Sequence, residues 1–115
     1  MKRYIAMAAL LIGGLATAQQ NKPVLEEVNG MVKVTYYYEN GKVQQEGFYK
    51  DGKLEGKWIS YDENGNKIAI AEYTDGNKTG KWFFWTDKNL SEVDYTQGAI
   101  AEVKVWNREA LAGKN

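Results

Sequence analysis

Residues 51–58 read DGKLEGKW, and residues 75–82, at an offset of 24, read DGNKTGKW. Each copy opens on an Asp-Gly pair and closes on Gly-Lys-Trp. Tyr49 recurs as Tyr73 at the same offset, and Tyr61 is matched by Trp85. A fixed period of two dozen residues marks a repeated supersecondary unit, and such a unit buries its apolar face only by stacking on its neighbours. Asp51-Gly52 and Asp75-Gly76 suit tight hairpins, because both central positions of a type I′ turn need φ > 0. The flanking runs favour strands, so each unit reads as one β-hairpin. Gly56 and Gly80 enter their strands at equivalent places, where glycine suits a bend, a bulge or a close backbone approach.

Working outward, Asn40-Gly41, Asn64-Gly65 and Gln97-Gly98 add turn pairs of the same kind. Strands are expected between them over 32–39, 42–50, 57–62, 66–74, 81–86, 90–96 and 100–106. A first, incomplete copy ends at Tyr38-Glu-Asn-Gly41. A partial third begins at Tyr95-Thr-Gln-Gly98, two residues early, which predicts a shortened turn around 86–90. No useful helical period appears. The expected fold is all-β: an open, twisted antiparallel meander of about seven strands built from consecutive hairpins over 32–106. Exposed edges go with such a sheet, and the apolar stretch 32–38 invites pairing there. Residues 19–31 read as a flexible leader, and 107–115 as a tail that could make a turn or two of helix if it docks.

The first 18 residues, MKRYIAMAALLIGGLATA, follow a different logic. Lys2 and Arg3 precede an apolar run, and Ala16-Thr17-Ala18 is a small-x-small cleavage signal. These features predict a signal peptide over 1–18, cut between Ala18 and Gln19, and a periplasmic or secreted product. No Cys follows the apolar run, so the expectation is not a lipid-anchored one.

Of the 115 residues, 15 are basic, 15 acidic, and none is His or Cys. That removes Ser-His-Asp and Cys-His catalysis, thiolate and imidazole metal ligation, and disulfides. Loss of Lys2 and Arg3 would leave a slight acidic excess, which does not point to nucleic acid. No phosphate-binding glycine loop is present. The carboxylates are scattered, and Asp62-Glu63-Asn64-Gly65-Asn66 lacks the spacing and distal Glu of a calcium loop. No catalytic residue, cofactor or metal is expected.

The string G-K-W-x-x-Y-x-x-x-G after an Asp-Gly turn, at Gly56–Gly65, resembles the MORN-repeat variant of exported bacterial proteins. The same repeats occur in chains labelled YwqK-type antitoxins. The resemblance covers roughly 36–98. It implies an open sheet of hairpins and a binding role, with a protein or a cell-envelope component as partner. An antitoxin-like role toward a partner toxin, or association with a membrane surface, are the alternatives it carries.

Most aromatic residues of such a chain belong to its core, since Leu and Ile are few. Trp82-Phe83-Phe84-Trp85 stands apart. Alternation along a strand puts Trp82 and Phe84 on one side and Phe83 and Trp85 on the other. A single sheet cannot cover both sides by itself. Trp58, Tyr61, Trp82, Phe84 and Trp85 are therefore the candidate interaction residues.

Overall fold

The computed structural model describes residues 22–108. The signal peptide, the cleavage point at Ala18 and Gln19, and the tail beyond Arg108 lie outside them. The strands in chain order are β1 (Val24–Val28), β2 (Met31–Tyr37), β3 (Val43–Lys50), β4 (Lys53–Tyr61), β5 (Lys67–Thr74), β6 (Asn77–Lys78), β7 (Gly80–Trp85), β8 (Asn89–Thr96) and β9 (Ala99–Asn107). They form one open antiparallel sheet in the order β1-β2-β3-β4-β5-β7-β8-β9, with β6 also paired to β5. The expected meander is thus present, with nine strands among the described residues rather than seven.

The two additions have local causes. Asn29-Gly30 is a further tight turn (φ 53° and 80°), and it folds Val24–Val28 back onto β2. Part of the stretch expected as a leader is therefore a strand, and 32–38 lies inside the sheet instead of at its edge. The short β6 is set off where the strand equivalent to β4 is interrupted at Thr79, although Gly56 and Gly80 share a left-handed φ (74° and 68°).

Turns of two kinds alternate. Asp51-Gly52 (φ 51° and 79°) and Asp75-Gly76 (φ 52° and 83°) have both central residues left-handed, as do Asn29-Gly30 and Gln97-Gly98. This is the type I′ geometry that matches strand twist. Asn40-Gly41 and Asn64-Gly65 are not turns of this kind, because only their glycines have positive φ. They close wider loops, in which Tyr38 N–H donates to Lys42 O (2.8 Å) and Asp62 N–H to Asn66 O (2.8 Å). The third loop is shorter, closed by Thr86 N–H on Asn89 O (2.9 Å). That is the shortening expected from the early third copy.

The core lies on one face. Val34, Tyr36, Leu54, Trp58, Tyr73 and Trp82 form it, with Tyr49, Ala71, Phe84, Val93 and Tyr95 packed around. Each repeat contributes a Tyr–Trp pair with rings edge-on: Tyr49–Trp58 at 5.3 Å and Tyr73–Trp82 at 5.2 Å. The buried indole N–H groups find backbone acceptors at equivalent places, Phe48 O for Trp58 and Glu72 O for Trp82, both at 3.1 Å. Burying those donors unpaired would cost about 1–3 kcal/mol each. The units are also tied turn to strand. Gly76 N–H donates to Leu54 O (2.8 Å), and Gly98 N–H repeats the contact on Lys78 O (3.2 Å).

Candidate functional site

The five candidate interaction residues do not form one surface. Trp58 and Trp82 are 2% and 1% exposed and belong to the core. Their indoles are the largest apolar groups available to a sheet with little Leu or Ile, so packing takes them and no partner can reach them. Phe84 is half-buried on the same face, 6.2 Å from Trp82. Trp85 lies on the opposite face, stacked with Phe83 at 6.1 Å. The alternation expected for this strand is present. Tyr61 is half-buried, and its hydroxyl donates to Glu46 Oε2 at 2.7 Å. Burial, followed by that bond and the negative charge of Glu46, pushes the Tyr61 phenol up to about 12.

The large apolar side chains left most open lie toward the two ends of the sheet. Val24, Leu25 and Val32 are exposed at one end, and Ile100, Val103 and Val105 at the other. The alternation of Val103 and Val105 with Glu102 and Lys104 was a legible signal for a one-sided strand. Its place at the edge was not, because strand order is a property of the assembled sheet.

At the N-terminal corner Leu25 and Val32 border a groove of about 360 Å³. Its walls are Pro23, Leu25, Val32, Val34, Tyr36 and Tyr49, and Gly30, Asp51 and Gly52 close it at the tight turns. Leu25 sits opposite Val34, and Val32 opposite Tyr49, so the register puts these groups on the core face. Leu25 is 64% exposed and Val32 40%, and the core thins out here into an open apolar floor. Tyr49 is unusual among the lining groups. Its hydroxyl is buried without a hydrogen-bond partner in the structure, and burial pushes its pKa up. It therefore stays protonated at neutral pH.

At the C-terminal end the opposite face carries charge. Lys81 Nζ lies 2.7 Å from Glu92 Oε2 and 3.5 Å from Asp94 Oδ2. The Lys81 ammonium is held above its usual pKa, first by the hydrogen bond to Glu92. Among the described residues, no group of three or more acidic side chains is placed to hold a metal ion. No helix there is long and apolar enough to cross a membrane. The arrangement offers apolar contact and strand pairing.

A sheet of stacked hairpins with a 24-residue period defines a repeat protein of the open-sheet kind. Residues 32–51 and 54–75 match the MORN repeat variant in two adjacent copies. The matched segments span β2–β3 and β4–β5, each one hairpin. No curated protein matches the chain. Repeats of this family are consistent with a module for protein or membrane interaction.

Proposed function

We propose that this chain is an exported, non-enzymatic interaction module that takes up an extended segment of a partner protein at its N-terminal corner. The observation that carries this reading is the open apolar groove beside β1. β1 is the first strand of the sheet and pairs on one side only among the described residues. A partner strand added there would gain main-chain hydrogen bonds from β1 and would lower apolar side chains onto Leu25, with Val32 behind it on β2 as part of the groove. The slight acidic excess beyond the signal peptide favours a protein or envelope partner over an anionic lipid surface.

The test is affinity capture from the envelope or secreted fraction with the wild-type protein and with the Leu25→Asp, Val32→Asp double variant. Both positions are exposed, so the variant is expected to keep its unfolding midpoint and lose the captured partner. Equal capture by both proteins would overturn the groove assignment. Binding to anionic vesicles with no protein partner would replace the reading with membrane-surface association. A captured toxin that the chain neutralises would narrow it to an antitoxin-like role. Export is checked by N-terminal sequencing of the secreted or periplasmic protein, expected to begin at Gln19.

A further inference from the structure

The opposite end of the sheet has a different design. We propose that two copies of this chain pair through β9, strand against strand, about a two-fold axis at Val103. β9 pairs with β8 alone among the described residues and is therefore an edge. Val103 and Val105 are 55% and 59% exposed and lie on the core face, opposite Val93 and Ser91. Glu102 and Lys104 lie on the other face, opposite Asp94 and Glu92. A long edge with one apolar and one charged face is a template for another strand.

Charge selects the partner and the register. Two copies related by a two-fold axis keep their faces matched only if the axis passes through a residue, so the available registers move in whole residues of the centre. An axis at Glu102 sets that carboxylate against itself. An axis at Lys104 does the same for the ammonium. An axis at Val105 leaves Lys104 facing Trp106 and sets Glu102 against Arg108, whose guanidinium is already held by Thr86 O at 2.6 Å. Only an axis at Val103 puts Glu102 of each copy opposite Lys104 of the other, twice, with the valines meeting in the middle. Such opposite-charge pairs stabilise antiparallel strands, and like charges destabilise them.

Within one copy, Glu102 already faces a like charge across the sheet in Asp94. Its own Lys104 is 4.0 Å away along the strand. A second copy's Lys104 would lie on the side of Glu102 away from Asp94 and give that carboxylate a cross-strand counter-charge. β1 cannot pair with itself in this way, since Val24–Val28 contains Glu26 and Glu27 and no basic residue. The irregularity in the pairing of β8 with β9 at Asp94/Tyr95 sets 99–101 apart from the regular edge, so about this axis only 102–104 pair regular edge with regular edge. The contact is therefore smaller than a standard stable interface, and the dimer forms reversibly with concentration.

Sedimentation equilibrium of the purified protein over a concentration series tests this. A monomer–dimer equilibrium is expected. Lys104→Glu makes both cross-strand pairs repulsive and should weaken the dimer about tenfold or more. The charge-swapped Glu102→Lys, Lys104→Glu protein restores both pairs under two-fold symmetry and should dimerise like the wild type. All these side chains are about half exposed, and unchanged urea midpoints would show the variants folded. Monomer at every concentration would overturn the proposal, as would a charge swap that fails to rescue. Growth beyond the dimer would instead assign β9 to head-to-tail pairing with β1, and would overturn the two-fold. The Leu25→Asp, Val32→Asp variant leaves β9 untouched, so failure of the groove reading leaves this result unchanged.

Discussion

The two copies related by the 24-residue offset share one covalent plan and differ at several slots, one of which lies at the middle of the core. β4 (53–61) corresponds residue for residue to 77–85, which is β6, the interruption at Thr79, and β7. Tyr49 and Trp58 correspond to Tyr73 and Trp82, with the same ring geometry and the same backbone acceptor for the indole. The slot is Leu54 in the first unit and Lys78 in the second. Leu54 is 1% exposed and closes the core. Lys78 instead places its ammonium 5.3 Å from the ring centres of both Trp82 and Tyr95. Its aliphatic stem covers the aromatic surface while its charge stays near water. The repeat therefore tolerates two solutions to one packing problem: an apolar plug mid-sheet, and a cationic cover toward the end of the stack.

Exchanging the two solutions is the strongest way to break that comparison. Leu54→Lys would force an ammonium into a closed site and should cost about 3–5 kcal/mol, enough to unfold a domain of ordinary stability. Lys78→Leu should change stability by under about 1 kcal/mol, since the stem packing survives and only the cation–π contact goes. Urea unfolding of the two variants measures the asymmetry. Equal losses would mean that Lys78 is as enclosed as Leu54.

The strand that the tryptophans lean on supplies the next contrast. Gly47 and Ala71 occupy equivalent places in β3 and β5. A Cβ added at Gly47 would fall 2.0 Å from Trp58 Cδ2, so the first unit excludes any side chain there. The second unit already holds a methyl group in Ala71, packed against the core. Gly47→Ala should displace the Trp58 ring and cost about 3 kcal/mol, visible as lost near-ultraviolet dichroism and a lower urea midpoint. Ala71→Gly should cost only about 1 kcal/mol. A silent Gly47→Ala would place the Trp58 ring away from β3.

These contrasts also mark how far the residues alone can be read. The hairpins, the meander and the alternation at Trp82–Trp85 follow from short-range rules, because turn chemistry and strand parity are local. Asn29-Gly30 obeys the same rule, but without a matching copy at the 24-residue offset it stayed inside an apparent leader. The candidate site was far less legible. Trp58 and Trp82 look like recognition residues by type, yet whether an indole faces a partner or a neighbouring strand depends on what stacks beside it. The groove is formed by Leu25, Val32 and Tyr49 from three strands, brought together only by register. β9 reads plainly as a one-sided strand, but that nothing among the described residues follows it in the sheet is decided by the whole topology.

The smallest predicted effect separates the units by pH. Tyr61 and Trp85 occupy equivalent positions, and only the first can ionise. The Tyr61 hydroxyl bonds to Glu46, and its pKa rises from 10.0 to about 12 in the folded protein. A folded pKa above the unfolded one means that the native state holds the proton more tightly. The resulting stability is fully present below pH 10 and is lost as pH climbs from 10 through 12. Burial raises Tyr49 and Tyr73 as well, so both units share an alkaline background and only the first carries the Tyr61 contribution. Tyr61→Phe should cost about 1 kcal/mol at neutral pH by removing the bond to Glu46. It should also make stability fall less steeply across that alkaline window, while replacing Trp85 by Phe leaves the slope as it was. Urea midpoints measured through the window distinguish the two variants. Matching slopes in wild type and Tyr61→Phe would show that neither burial nor the Glu46 bond holds this proton, and the two units would then titrate alike.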